Sequence, residues 1–136
     1  MTYLFDTSTI INIIQDKPDK AIKIFKGHNL LDLSYYELGN VLWKFDHRKL
    51  FNKDEIKKIR ETIELIWNIF RILKLNIEDF ESTLNIAFEN KITFYDASFI
   101  YLAHKSNFTL VSDDIKMITI GKKYGNVINS NEIPLI

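Results

Sequence analysis

At 136 residues, 46% apolar and 26% charged, the chain suits one soluble globular domain, residues 1–136, and no apolar run reaches the ~20 residues that cross a bilayer. Eighteen basic and eighteen acidic side chains cancel, which argues against a broad electrostatic grip on a phosphate backbone but leaves room for a local basic rim. Without cysteine there are no disulfides or thiolate metal sites, and with no secretory signal at the N-terminus the expected location is the cytoplasm.

Tyr3, Leu4 and Phe5 form an apolar run too short for anything but a buried strand, and Asp6 stops it. Ser8 then opens the apolar-periodic run Ile10, Ile11, Ile13, Ile14, which predicts a helix. Pro18 suits an early position in a second helical segment to about Lys26, with Gly27 as its stop. Asn29 to Leu33 reads as the second strand, and Ser34 caps a helix through Glu37, Val41 and Lys44 to about Arg48. Asn52 caps the longest helix, where Ile56, Ile59, Ile63, Ile66, Trp67 and Phe70 share a wide apolar face. Ile72 to Leu75 predicts a short extended segment, Glu78 to Glu89 a helix, and Tyr95 to Lys105 another. Phe108 to Ser112 is a buried strand closed by Asp113-Asp114. A helix follows to about Tyr124, Gly125 ends it, and Val127-Ile128 is a last strand. Strands alternating with helices predict a mainly parallel sheet covered on both faces. The fold class is α/β, a three-layer α/β/α sandwich.

Four carboxylates stand out by position. Asp6 and Asp114 follow strands, whereas Glu37 and Asp96 lie at helix starts. Singly, each has a capping or helix-dipole reading worth ~1 kcal/mol. Together they point to one edge, because in a parallel sheet the carboxyl ends of strands and the starts of the following helices coincide. Two carboxylates ~4 Å apart repel by about 4 kcal/mol at an effective dielectric near 20, so such a cluster calls for a cation. Oxygen-only donors favour a hard ion, Mg²⁺ or Mn²⁺.

The motifs Asp6-Thr7-Ser8, Tyr36-Glu37-Leu38-Gly39-Asn40-Val41-Leu42, Tyr95-Asp96-Ala97-Ser98 and Leu110-Val111-Ser112-Asp113-Asp114 resemble, in order and at the expected length, those of PIN-domain nucleases. Within that family the chain is most similar to compact VapC-type toxins of type II toxin–antitoxin pairs. The resemblance implies a PIN-like fold and a metal-dependent endoribonuclease using one or two Mg²⁺ or Mn²⁺ ions held by Asp6, Glu37, Asp96 and Asp114. It makes Ser8 and Ser112 hydrogen bonders that orient carboxylates, and leaves Asp113 either supplementing Asp114 or facing solvent. It also implies an RNA substrate, a cognate antitoxin and a homodimer. Relatives often carry an Arg after Glu37, where this chain has Trp43-Lys44.

Lys44, Arg48, Lys49, Lys105 and Lys116 are candidates for phosphate contact, set against the plainer reading of a solvated helix face. His28, His47 and His104 stand away from strand ends with Lys or Asn neighbours, as on solvated faces, and are not assigned to catalysis. The aromatics Tyr35, Tyr36, Trp43, Phe45, Trp67 and Phe70 suit core, a dimer or antitoxin surface, or base stacking. A P-loop is excluded because no Gly-rich loop with Lys-Ser/Thr is present. A receiver domain would need its acidic pair after the first strand, and a dehalogenase-type phosphatase would need Asp where Ser8 stands. Two alternatives stay open: a housekeeping RNA-processing nuclease and a non-catalytic PIN-like RNA- or protein-binding module.

Overall fold

The computed structural model describes residues 1–134; residues 135 and 136, included in the one-domain reading, lie outside the described residues. Five strands, β1 (Tyr3–Phe5), β2 (Asn29–Leu31), β3 (Arg71–Leu73), β4 (Thr109–Val111) and β5 (Val127–Ile128), form one sheet in the order β3-β2-β1-β4-β5. Every pairing is parallel, and β1 meets β4 in the register Tyr3 to Thr109, Leu4 to Leu110 and Phe5 to Val111. The chain winds from β1 outward to β3, then returns to the other side of β1 as β4. Where the winding direction reverses, the loops after β1 and β4 diverge to opposite faces and leave a crevice at their carboxyl ends.

Alternation along these short strands sorts the core into two layers. Phe5, Leu30 and Val111 face one way, packing with Ile10, Phe25, Leu38, Ile66 and Phe70 from α1 (Thr7–Asp16), α2 (Ala21–Phe25), α3 (Leu33–His47), α4 (Lys53–Trp67) and the turn after it. Leu4, Leu31 and Leu110 face the other way, against Ile86, Ala97, Ile100 and Met117 from α5 (Phe80–Asn90), α6 (Phe94–Ser106) and α7 (Ile115–Gly121). Phe5 meets Phe25 edge-on at 5.1 Å, a favoured aromatic geometry in the first layer. The sandwich expected from the sequence is therefore present. Among the described residues no helix is long and apolar enough to cross a membrane.

Several boundaries differ from the sequence reading, each for a local reason. Pro18 lies in a turn closed by the Lys20 amide on the Lys17 carbonyl, so α2 starts only at Ala21. The second strand stops at Leu31 because Asp32 turns the chain and caps α3 through the Leu33 amide, leaving Ser34 buried inside the first turn. Glu37 is accordingly the fifth residue of α3, not part of its first turn. Asn52 does cap α4, with Glu55 returning the bond, but α3 is as long. Thr93, not Asp96, caps α6. α7 ends at Gly121 rather than at Gly125, and the Gly125 amide folds back onto the Gly121 carbonyl.

Gly121 has no room for a side chain: a Cβ there would stand 2.8 Å from the Val127 methyl Cγ2, and the branched valine on β5 has little freedom to yield. Gly121→Ala should cost about 1–3 kcal/mol by overpacking the α7–β5 contact. Gly39 lies inside α3 with nothing within 4 Å of a new Cβ, so Gly39→Ala should gain about 0.5–1 kcal/mol. Chemical denaturation of the two variants checks both signs.

Candidate functional site

Asp6 follows β1 directly and caps α1, its Oδ1 accepting the Thr9 amide at 3.1 Å. Its amide donates to the Val111 carbonyl, so the chain is still paired with β4 as it leaves the sheet. The carboxylate is buried and accepts the Thr9 amide, and the hydroxyls of Ser112 and Thr9 lie close enough to oppose the rise in its pKa. These two fully buried hydroxyls also accept the amides that follow β4, Ser112 from Asp114 at 3.1 Å and Thr9 from Asp113 at 2.9 Å. A pair of side-chain oxygens thereby joins the ends of β1 and β4. Ser8 is exposed and reaches Asp6 only at 3.5 Å, too long for a strong bond.

Glu37 reaches the same crevice from α3. Thr7 Oγ1 donates to Glu37 Oε1 at 2.7 Å and shares a 2.8 Å hydrogen bond with buried Ser34, which locks the start of α1 to the start of α3. Burial raises the Glu37 carboxyl above its ordinary range; the Thr7 bond opposes this, and negative charge on Asp96 and Asp6 adds to it. Burial likewise raises Asp6, against the bonds from Ser112 and Thr9, with Asp113 contributing repulsion. Asp6, Glu37 and Asp96 thus share one electrostatic field.

The other acids have protein partners. Asp96 pairs with the Lys116 ammonium at 3.3 Å, and Asp114 caps α7 by accepting the Lys116 amide at 2.8 Å. Asp113 does not face open solvent. Its carboxylate accepts Asn12 Nδ2 at 3.0 Å, the Ser130 amide at 2.8 Å and the Ser130 hydroxyl at 2.9 Å, clasping α1 to the 3-10 turn Ser130–Glu132. Among the described residues no three His, Asp or Glu side chains form a ready-made metal cage. The donor chemistry nonetheless fits a hard divalent ion: the acids come from separate elements and offer only oxygen, and negative charge on Asp96 and Asp6 adds to the raised Glu37 carboxyl. The Lys116 ammonium already provides positive charge at Asp96.

Of the remaining candidates, Lys44, Arg48 and Lys49 are exposed on and just beyond α3, while Lys105 is engaged by buried Asp79 at 2.6 Å. His47 and His104 are exposed, as the sequence suggests, but His28 is not on a solvated face. Its Nδ1 accepts the Tyr3 amide at 3.1 Å, its ring lies 4.7 Å from that of Tyr3, and burial lowers its pKa. Sequence reasoning missed Thr7 and Thr9. Their position directly after Asp6, where hydroxyls meet free helix-start groups, was the available signal.

Comparison with known proteins gives one family. A family model described as PIN domain matches residues 3–123. Ribonuclease VapC3 of Pyrobaculum aerophilum is 30% identical over 101 residues, covering 73% of this chain and 75% of that protein. Exonuclease VapC9 of the same organism is 33% identical over 118 residues, covering 85% and 83%. Among solved structures, PAE2754 from Pyrobaculum aerophilum superposes with a TM-score of 0.78 at 29% identity, covering 96% of this chain and 92% of that one. VapBC2 from Rickettsia felis, bound to a promoter DNA fragment, shares the fold with a TM-score of 0.67 at 17% identity, covering 95% and 98%.

Because Asp6 and Glu37 titrate upward, the folded protein keeps their protons over a pH range in which the unfolded chain has released them. That stabilisation is full below the ordinary carboxylate values and is lost as pH rises through the raised ones. Asp6→Asn keeps the cap and removes the buried charge. In chelator-treated protein it should therefore melt higher than the parent near neutral pH. The gap should close as pH falls toward 3.8, the ordinary aspartate value. A constant gap across that range would contradict the buried-charge account.

Proposed function

The chain belongs to the PIN-domain family, and on that premise we propose that it is a metal-dependent endoribonuclease, the toxin of a type II toxin–antitoxin pair, acting in the cytoplasm. The observation that carries the reading is that Asp6, directly after β1, and Glu37, joined to the start of α1 through Thr7, stand at the carboxyl edge of the sheet, with Asp96 tied through Lys116 to Asp114, the cap of the helix that follows β4. Asp6, Glu37, Asp96 and Asp114 would hold one or two Mg²⁺ or Mn²⁺ ions. When bound, such an ion lowers the pKa of water and draws charge from a phosphate oxygen.

The chain's own side chains do the positioning. Thr7 fixes one oxygen of Glu37 and leaves the other for the crevice. The Thr9 amide holds one oxygen of Asp6, and the Ser112 hydroxyl stands beside the carboxylate. The Lys116 ammonium beside Asp96 is placed to meet a phosphate, and Lys44 and Arg48 add positive charge on α3. With water as the attacking group, the products carry 5′-phosphate and 3′-hydroxyl ends. A 2′,3′-cyclic phosphate would contradict the scheme.

The VapC names of the relatives support a toxin role and, with it, an antitoxin partner. The open groove of about 420 Å³ between α3 and α4, lined by Tyr35, Leu38, Leu42, Ile63 and Trp67, offers apolar surface for such a peptide. We include a homodimer in the proposal, to be read by light scattering. A second reading, exonucleolytic cleavage, is favoured by the printed name of one relative, Exonuclease VapC9. A covalently closed RNA circle separates the two, since only an endonuclease opens it.

Asp6→Asn and Asp96→Asn should each lower cleavage at least ~10²-fold while leaving the fold intact. Saturating Mn²⁺ should raise the melting temperature of the parent, about 2.7 kcal/mol at a hundred times the dissociation constant, and not that of Asp6→Asn. Equal Mn²⁺ stabilisation of both proteins would remove the metal site. Full cleavage by Asp6→Asn would remove the catalytic assignment.

A further inference from the structure

α3 presents three surfaces around its circumference. Ser34 and Leu38 face the interior, Tyr35 and Leu42 border the groove with α4, and a third flank stays in solvent. At 3.6 residues per turn, Glu37, Lys44 and Arg48 fall in one line with Val41, whose first half (Glu37 and Val41) is partly buried and whose second half is exposed, and Tyr36, Asn40, Trp43 and His47 fall in the line beside it. Trp43 is 58% exposed and Tyr36 74%, yet Trp43 is not loose: its ring lies parallel to that of His47, 4.7 Å away with 9° between planes. A large ring held flat in water by an imidazole, one turn apart on the same helix, is a preformed stacking surface.

The neighbours of this pair decide what would occupy it. Asn40, Lys44, His47 and Arg48 are polar or cationic and exposed, so Trp43 does not belong to an apolar patch of the kind that buries a protein partner. The only acid in the two lines is Glu37; Asp46, the other acid of α3, lies one turn beyond Trp43 at i+3, where Lys53 pairs with it at 3.9 Å. Positive charge beside an exposed aromatic face is the combination that takes single-stranded nucleic acid: phosphates meet the cations and a base meets the ring. The distance suits this too. Lys44 stands ~10 Å and Arg48 ~16 Å beyond Glu37 along the helix axis, the reach of a few nucleotides leading away from the acids.

We propose that this flank of α3 is a track for the single-stranded RNA next to the scissile phosphate, with a base stacked on the Trp43–His47 pair and its phosphates on Lys44 and Arg48. The proposal rests on the ribonuclease reading and adds to it how the strand is held. The track is sequence-tolerant, because every base offers a π-face, and it supplies locally the positive field that a chain of zero net charge lacks overall.

The test uses the full chain carrying Asp6→Asn, so that RNA is bound but not cut, and a fluorescein-labelled oligouridylate followed by anisotropy over a salt series. Adding Trp43→Ala should weaken binding about tenfold with an unchanged salt dependence, and Trp43→Tyr should restore most of it. Lys44→Ala and Arg48→Ala should each weaken binding and lower the slope of log affinity against log salt by about 0.7. Trp43 is exposed, so Trp43→Ala should melt as its parent does. If the parent binds the oligonucleotide and Trp43→Ala binds it equally well, the stacking track is wrong while the ribonuclease reading stands. If Trp43→Ala leaves RNA affinity alone but changes the oligomeric state, the flank is a protein interface and the proposal is overturned. If the parent binds no RNA, the ribonuclease reading fails and the track fails with it.

Discussion

A buried carboxylate at the end of a central strand is the constraint around which this molecule is arranged. Asp6 is removed from water, which disfavours its charge, and only hydroxyl and amide donors at its own position compensate. Those donors come from two strands that are far apart in sequence. Thr9 follows β1 and Ser112 follows β4, and each also carries an amide of the Asp113-Asp114 pair. The β1–β4 register therefore does more than close the sheet. A slip by one residue would turn Leu110 and Val111 to the wrong layers and take the Ser112 hydroxyl away from Asp6.

The second acid is governed by the same logic at longer range. Glu37 enters the crevice because Thr7 and Ser34 join the first turns of α1 and α3. Its carboxyl is raised by burial and by neighbouring negative charge, whereas Asp96 is neutralised by Lys116. One corner of the site is thus poised to accept positive charge, and another already has it. The remaining flank of α3 continues outward from Glu37 with cations and a stacked aromatic pair, so one helix serves the interior, the crevice and the solvent on three sides.

Much of this was legible in the chain. Strand positions, the parallel sheet and the places of Asp6, Asp96 and Asp114 at strand ends and helix starts follow from short apolar runs stopped by carboxylates, whereas Glu37 lies a turn deeper into α3 than the sequence suggests. Hydroxyl partners were harder. Ser34 looked like a cap, but Asp32 two residues earlier competes for the same turn and wins, which sends Ser34 inward to Thr7. Thr7 and Thr9 announce themselves only by standing just after Asp6, because a hydroxyl has no fixed partner until a second segment arrives. Asp113 was ambiguous for a related reason: its bonds reach Asn12 and Ser130, and no local pattern records contacts across such distances. His28 reads as solvent-facing in the sequence because the Tyr3 amide that it accepts lies on β1, twenty-five residues away.

The Asp113 clasp carries a consequence for the order in which the polypeptide is made. Asp6 and Thr7 leave the ribosome more than a hundred residues before Ser112, Asp114 and the Ser130 anchor of Asp113. Domains generally fold as units during synthesis, so an unfinished chain holds the first acid without the wall that encloses it. The crevice is thus assembled only once the chain has been made through Ser130.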